Sequence, residues 1–270
     1  MIWLVIIAAF FFAAETPKQP KAASPPAEQP TSAKANPSTA EQPAQRKTAA
    51  SEQPAQRKPN PFPADEQLTY NINWPTGLSL GEARLRTRRL KTESGGRVDS
   101  EFVLDAAVPG FAVLDRFHSV ADEDLCSIQL DKSYQHGRRK ADETTKFDAS
   151  KKVATRQTKD GGKSEIAIQN CAKDAVMYLS YLRRELSQGR LPPHQVVLFG
   201  AEYRVTLQFA GTQNVTIGDT RHDADRINIT IKGPRTDINA EAYFAKDAVR
   251  TPLLVRVPLT LATFSMELAR

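Results

Sequence analysis

The sequence has few of the features that mark several large protein classes. Only one long apolar run occurs in its 270 residues, whereas a polytopic membrane protein needs repeated runs of about 20 residues. Two cysteines are too few for a disulfide-dense miniprotein. The surplus of 37 Lys and Arg over 31 Asp and Glu is small, so charge alone does not predict an anionic partner.

Catalytic motifs are also missing from the sequence. It has no Gly-x-Ser-x-Gly elbow, no phosphate-binding glycine-rich loop, and no His or Cys pair at zinc-ligand spacing. The acidic group at 122–124 has no neighbours that could supply the roughly six to eight oxygens of a Ca²⁺ site. We expect a protein without catalysis, metal or cofactor. A hydrolase is the less favoured alternative, and His118 or His222 would be its candidate residue.

The one apolar run lies at the N-terminus. Residues 2–14 are all apolar, and as a helix they would cover about 20 Å of a hydrocarbon core that is about 30 Å thick. This length is typical of an export signal, although no Lys or Arg precedes the run and no clean cleavage site follows it. We expect residues 1–14 to be a signal peptide or short anchor, and the protein to be periplasmic or in the cell envelope.

Residues 15–60 have the composition of a tether. They contain nine prolines and almost no large apolar side chains, so they cannot bury enough surface to offset the entropy of ordering. A seven-residue unit at 41–47 recurs at 52–58 without a hydrophobic face. We expect a disordered linker that acts as a spacer. Contact with an anionic envelope surface is the alternative, because Lys and Arg outnumber Glu in this segment.

Residues 61–270 are expected to form a single β-rich domain. Apolar and polar residues alternate in at least ten segments, for example from Leu68 to Trp74 and from Tyr203 to Phe209. One-sided alternation indicates antiparallel strands with one face in water. The predicted fold is therefore mainly β, a curved antiparallel sheet or barrel-like β domain with one packed α-helix.

The helix is predicted at 175–187. Asp174 is a suitable N-cap, and Gly189 suits the exit. Met177, Tyr178, Tyr181, Leu182 and Leu186 give an apolar stripe, while Arg183 falls in a polar sector. Such a helix is expected to pack on the apolar face of the sheet or to plug it.

Two further groups of residues permit more than one interpretation. Cys126 and Cys171 suggest a disulfide, because the count is even in an exported chain, with two free thiols as the alternative. The basic stripe of Arg84, Arg86 and Arg88 could meet nucleic acid or anionic lipid, but a solvated outer strand face is favoured. Nucleic-acid binding is not expected, because no aromatic residues are interleaved with the stripe.

The order and spacing of several segments resemble the DUF3108 family of exported bacterial proteins. The matching pieces are 62–70 with Trp74, 80–85, 127–130 with 138–147, 174–183 and 262–268. The segment 216–223 departs from the usual turn of the family, so that hairpin is expected to differ in shape. The resemblance implies a periplasmic single β domain, and the placement of the cysteines resembles members in which a bridge is expected. It supplies no catalytic residues.

The favoured function is the binding of a lipid, glycolipid or other hydrophobic ligand in an apolar concavity. The candidate ligand contacts are the aromatic residues expected to point inward: Tyr70, Trp74, Phe102, Tyr178 and Tyr181. A scaffolding protein that binds another envelope protein is the alternative. Association with the membrane is expected only through the N-terminal segment.

Overall fold

The computed structural model describes residues 62–93, 95–108, 111–234, 236–258 and 263–269. The predicted signal segment and linker lie outside these residues. Within them the chain forms fifteen strands and one helix, α1 (Ala175–Ser187). The strands are β1 (Asp65–Asn73), β2 (Ser79–Thr92), β3 (Gly95–Val108), β4 (Phe111–Asp122), β5 (Ser127–His136), β6 (Arg139–Asp148), β7 (Val153–Thr158), β8 (Lys163–Ala167), β9 (Lys173–Asp174), β10 (Gln195–Leu198), β11 (Glu202–Ile217), β12 (Thr220–Gly233), β13 (Thr236–Ala245), β14 (Pro252–Pro258) and β15 (Thr263–Leu268).

All fifteen strands belong to one sheet with a simple order. It runs β8-β7-β6-β5-β4-β3-β2-β1-β15-β14-β13-β12-β11-β10-β9. Every described pair is antiparallel except β9 with β10. Because neighbouring strands alternate in direction, the C-terminal ends of β1, β3, β5, β12 and β14 lie at one end of the sheet, which we call the open end. The C-terminal ends of β2, β4, β11 and β13 lie at the other end, which we call the helix end.

The sheet curls until distant strands meet. The backbone N–H of Ser127, at the start of β5, donates to the carbonyl of Ala172 just before β9, at 2.9 Å. The ammonium of Lys132 on β5 donates to the carbonyl of Phe199 after β10, at 3.3 Å. These contacts join strands that are far apart in the sheet order and confirm the predicted curved, barrel-like β domain.

The core lies on the concave face, where the alternating apolar residues meet the helix. One cluster takes side chains from both halves of the sheet and from α1, including Tyr70, Phe102, Phe117, Tyr178 and Ile229. The helix contacts β3, β4, β9 and β10. It therefore packs against the apolar face as the amphipathic pattern predicts.

The predicted wet outer face is wrong for part of the sheet. A second buried cluster holds Leu254 and Tyr243 together with Val215 and Ile217 from the far end of the β11–β12 hairpin. The pairing of β11 with β12 shifts register between Phe209 and Thr212. Beyond this shift the hairpin packs on the face that single-strand alternation assigns to solvent. The alternation within β14 therefore does not separate a buried face from an exposed one.

Both ends of the helix follow the sequence prediction. The carboxylate of Asp174 accepts hydrogen bonds from the backbone N–H groups of Val176 and Met177. Gly189 adopts φ 72° just after the last turn, a conformation that glycine takes without strain. No helix in the described part of the chain is long and apolar enough to cross a bilayer.

Candidate functional site

Three of the five predicted ligand contacts lie in the packed core. Tyr70, Phe102 and Tyr178 are each at most 3% exposed. The hydroxyl of Tyr70 donates to the carbonyl of Pro252 at 3.1 Å, and burial raises the pKa of both tyrosines. These side chains therefore stabilise the interior.

The other two predicted contacts are partly buried and lie in different places. Trp74 follows β1 at the open end, where its ring meets Phe264 edge to face at 4.8 Å. Tyr181 lies on the helix, with the ammonium of Lys173 4.5 Å from its ring centroid. All five aromatic residues belong to or pack against the same core cluster, with Tyr70, Phe102 and Tyr178 inside it and Trp74 and Tyr181 at its margin.

The helix is fixed to the sheet at its beginning by the disulfide and the capping residue. Cys126 and Cys171 form the disulfide, which joins the turn before β5 to the segment before the helix. The second carboxylate oxygen of Asp174 accepts hydrogen bonds from the hydroxyls of Ser119 and Ser127, both at 2.6 Å. These contacts confirm the predicted bridge and attach the N-terminus of the helix to β4 and β5.

Arg183 corrects the prediction of a polar helix sector, because its side chain is buried. Its guanidinium donates two hydrogen bonds to the carboxylate of Glu66, at 2.6 and 2.8 Å. Its Nε donates to the carbonyls of Val249 and Arg250, and the ring of Phe62 covers the group at 4.8 Å. A buried guanidinium needs such complete pairing. Arg183 thereby connects the helix to β1 and to the β13–β14 turn.

A second group of buried charges closes the curl of the sheet. Lys132 lies 2.6 Å from Glu143, and Arg156 also pairs with Glu143. The ammonium of Lys132 lies 4.0 Å from the ring centroid of Phe199. A Cβ at Gly200 would fall 2.7 Å from Glu143 and 2.9 Å from Lys132, so the approach of this loop requires glycine.

The electrostatics of this group follow from its burial. Burial lowers the pKa of Lys132, although the charge of Glu143 opposes the shift. Burial raises the pKa of Glu143, but Lys132 and Arg156 lower it by more, and the net pKa is below its usual range. The ammonium of Lys132 is bound to the carboxylate of Glu143 and to the carbonyl of Phe199. These contacts hold β5 and the segment after β10 together.

Another polar pair lies on the concave side near the open end. The ring of His136 is 2.9 Å from one carboxylate oxygen of Asp115. The other oxygen of Asp115 is buried and has no hydrogen-bond partner among the described residues. We assign this pair no chemical role.

His118 lies on the outer face, in a polar groove of about 400 Å³ that also contains Arg116, Asp131 and Thr144. Its Nε2 is 2.9 Å from Asp99, and its Nδ1 is 3.7 Å from Asp131. Burial lowers the pKa of His118, but the two carboxylates raise it by more, so the net pKa is above its ordinary value. Carboxylates therefore lie beside both ring nitrogens and favour the protonated form of the ring.

The other candidates that the sequence suggested lie elsewhere in the sheet. His222 lies opposite Val215 in the β11–β12 hairpin. Asp122 accepts backbone N–H groups of Asp124 and Cys126 and so shapes the turn before β5. Across the described part of the chain, no group of three or more His, Cys, Asp or Glu side chains is arranged to hold a metal ion.

The basic stripe on β2 is largely paired with acids of its neighbours. Arg84 lies 3.0 Å from Glu82, Arg86 2.6 Å from Asp65, and Arg88 3.2 Å from Asp99. The stripe is therefore a salt-bridged outer face, as the favoured interpretation predicts, and these exposed pairs contribute little stability.

The open end carries several exposed apolar side chains. Neighbouring hairpins present large apolar side chains there: Leu78 is 60% exposed, Leu114 45% and Phe111 36%. We call these three residues the apolar tips. By contrast, the described turns at the helix end carry charged residues, among them the acidic group at 122–124 and Lys246-Asp247.

The strand register places Leu78 and Phe111 at the same end of the sheet, whereas Leu114 lies on the outer face of β4, opposite Asp105 of β3. One cross-strand row near the open end passes through five adjacent strands, namely Ile72, Gly81, Ala106, Val113 and His136. Leu78 lies beyond Gly81 towards the open end, and Phe111 lies beyond Val113. Since adjacent strands are about 5 Å apart, the described ends of β1, β2, β3 and β4 lie next to one another at this edge.

A basic turn adjoins this edge. The β5–β6 turn and the start of β6 carry Arg138, Arg139 and Lys140, all of which are exposed. The backbone N–H of Gly137 donates to the carbonyl of Ala112 at 2.7 Å, and Phe111 lies 6.5 Å from His136 between ring centroids. The three cations are therefore next to the phenylalanine of the apolar tips.

Sequence reasoning missed the open end as a surface, although a signal for it was present. Residues 106–114 have no polar side chain, and those of them that the structure describes lie at the ends of β3 and β4. The alternation of apolar and polar residues predicts each strand separately. It does not reveal which turns lie side by side.

Comparisons with known proteins agree with this architecture. A protein of domain DUF1849 from Brucella abortus, described as β-barrel-like, matches with a TM-score of 0.53 at 7% identity, over 76% of this chain and 95% of that one. A protein with a YmcC-like fold from Bacteroides fragilis matches with a TM-score of 0.35 at 10% identity, over 77% and 94% of the two chains. The first likeness shows a shared fold, and the second carries no argument.

The family of the chain is clear from its sequence profile. No curated protein matches the chain significantly. The model of the DUF3108 family, described as a protein of unknown function, matches residues 69–269. This match covers almost the whole described domain, and the chain therefore belongs to the DUF3108 family.

Proposed function

We propose that this protein is an exported, non-catalytic component of the cell envelope that binds lipid through the open end of its curved sheet. The observation that carries the proposal is the group of apolar tips, Leu78, Phe111 and Leu114, on neighbouring hairpins. Large apolar side chains are normal on a surface when scattered, but a contiguous group indicates an interaction site.

The location of this contact differs from the sequence-based hypothesis. That hypothesis put a hydrophobic ligand inside the concavity, against inward aromatic residues. Tyr70, Phe102 and Tyr178 are enclosed by core neighbours, so their surface is already removed from water. Trp74 alone of the predicted contacts adjoins the apolar tips, because the β1–β2 turn joins it to Leu78 through a backbone hydrogen bond of 2.8 Å.

Two further observations support the export and the absence of catalysis. A disulfide between Cys126 and Cys171 is typical of an oxidising compartment, which agrees with the apolar N-terminal run. The most promising catalytic group, His118, is held between two carboxylates. The buried Lys132 is committed to Glu143 and to a carbonyl.

The proposal is tested by co-sedimentation of the protein that lacks residues 1–14 with phospholipid vesicles. The vesicles contain phosphatidylcholine, with or without phosphatidylglycerol. Burying a leucine side chain fully stabilises a complex by about 1.5–3 kcal/mol. Leu78→Ser removes the apolar surface that lipid would bury, and should therefore weaken binding by about tenfold. Leu78→Ser and Phe111→Ser are each expected to weaken binding to both kinds of vesicle.

Leu90→Ser is the matched control. Leu90 is also 45% exposed, as Leu114 is, but it lies on β2 near the helix end. We expect this variant to bind as the unmodified protein does. Failure of the unmodified protein to bind either vesicle, or an equal loss in the Leu90→Ser variant, would contradict the proposal. The scaffolding hypothesis would then be the better one.

A further inference from the structure

We propose that the open end docks on bilayers rich in anionic lipid, with the β5–β6 turn as the part that binds the headgroups. This inference rests on the proposed lipid-binding function and adds its lipid class. It also adds a second membrane contact to the one expected from the N-terminal segment. The feature that supports it is the direct contact between a cationic turn and the apolar tips.

The three cations of the turn are available to a ligand. Arg138, Arg139 and Lys140 are exposed, and none of them lies within ion-pair distance of a carboxylate in the described residues. The arginines on the outer face differ from them, since Arg84, Arg86 and Arg88 are each paired with an acid. Unpaired cations on the turn are free to bind phosphate oxygens.

The position of the turn relative to Phe111 suits a membrane interface. Gly137, the first residue of the turn, is so close to Phe111 that a Cβ there would lie 3.1 Å from the phenyl ring. When Phe111 enters the boundary between headgroups and acyl chains, the guanidinium groups of Arg138 and Arg139 are at headgroup level. Interfacial segments of proteins combine apolar and basic residues in this way.

The other charges near the open end are largely paired. Lys232 is exposed near the β12–β13 turn, which also lies at the open end, although Asp237 lies 3.8 Å from it. The acids of the β2 and β3 ends, Glu82 and Asp105, oppose each other across the two strands, and Glu82 is paired with Arg84. The unpaired cations beside Phe111 are therefore those of the β5–β6 turn, and Asp105 lies opposite Leu114 on the outer face.

The test compares vesicles of phosphatidylcholine alone with vesicles that contain phosphatidylglycerol. The unmodified protein is expected to bind the anionic vesicles more tightly. Each Lys or Arg close to an anionic membrane contributes about fivefold in affinity. The triple variant Arg138→Gln/Arg139→Gln/Lys140→Gln should therefore lose about 100-fold on anionic vesicles, with little change on neutral ones. The affinity of the unmodified protein should also fall when salt shortens the range of electrostatic attraction.

The matched control removes three positive charges from the end of β6 that is far from the β5–β6 turn. Lys146, Lys151 and Lys152 are exposed on β6 and on the turn that follows it. The variant Lys146→Gln/Lys151→Gln/Lys152→Gln is expected to keep nearly full binding to anionic vesicles. Equal losses in the two triple variants would mean that only net charge matters, and would overturn the inference.

Failure of this inference can be told from failure of the proposed function. If binding is equal on both vesicles and the Arg138-Arg139-Lys140 variant is unaffected, while Leu78→Ser still weakens binding, the anionic preference is wrong and lipid binding stands. If the unmodified protein binds neither vesicle, both are wrong. A preference for anionic vesicles that only the turn variant abolishes supports both.

Discussion

Removing the buried guanidinium of Arg183 should destabilise the domain more than any change on the outer face. The side chain is 2% exposed, and Arg183→Ala leaves the carboxylate of Glu66 and two backbone carbonyls without their donor. Breaking a buried ion pair from one side costs about 3–5 kcal/mol. That is a large fraction of a typical folding free energy of about 5–15 kcal/mol.

The loss is measured by urea unfolding of the full chain, followed by circular dichroism. Arg184→Ala is the control, because Arg184 is the next residue of the helix and donates only to exposed carbonyls of the β4–β5 turn. We expect this control to lose less than about 1 kcal/mol. The double variant Arg183→Met/Glu66→Leu should recover much of the loss, since no charge is then left buried.

The reasoning would be refuted if Arg183→Ala and Arg184→Ala lowered the free energy of unfolding equally. It would also be refuted if the double variant were as unstable as Arg183→Ala, because the cost would then come from packing and not from the unpaired carboxylate. An unchanged slope of the unfolding free energy against urea is required for the comparison.

Three further predictions concern stability. Replacing Cys126 and Cys171 by serine should lower the free energy of unfolding by about 4 kcal/mol in the chain-entropy model, because the bridge spans 45 positions; an unchanged urea midpoint would contradict this. Asp174→Ala removes the acceptor of two backbone and two serine hydrogen bonds and should cost about 2 kcal/mol, whereas a thermal midpoint like that of the unmodified protein would show that the cap is dispensable. The raised pKa of His118 means that its carboxylate contacts stabilise the fold below its unfolded pKa of about 6.5 and cease to do so as the pH rises through the folded pKa. His118→Asn should therefore be less stable than the unmodified protein at pH 5 by a small amount, because the ring is 39% exposed, and the two should converge at pH 9; a difference that does not change with pH would be inconsistent with this.

The parts of the fold that depend on local pattern could be predicted from the sequence. Alternation gives the strands because each side chain points to one face or the other, and the run from Asp174 to Gly189 contains the cap, stripe and exit of a helix. The family resemblance gave the same β-rich domain, and its match to residues 69–269 is confirmed.

The parts that depend on pairing between distant residues could not be predicted. Arg183 looks like a surface residue because its partner, Glu66, is 117 positions away. Leu254 is covered by a hairpin whose course depends on an irregularity in its pairing. Lys132 and Glu143 are charged residues at inward positions, which only the curl of the sheet onto Phe199 explains.

The candidate site illustrates the same limit. The sequence singled out aromatic residues by their inward direction, and this criterion also selects core residues such as Tyr70 and Phe102. The apolar tips are separated in sequence, and the strand register places them near the same end of the sheet. The sequence shows that each of these residues is apolar, but only the structure shows at which end of the sheet they lie.

The most direct test of lipid contact at the open end uses the intrinsic fluorescence of Trp74. The chain has two tryptophans, so Trp3→Phe leaves Trp74 as the only one, next to the apolar tips. On anionic vesicles whose acyl chains carry bromine, we predict that Trp74 emission is quenched and shifts to shorter wavelength. A control tryptophan at the helix end, Leu90→Trp in a Trp3→Phe/Trp74→Phe chain, should not be quenched. Unquenched Trp74 emission from protein that co-sediments with the same vesicles would contradict the account.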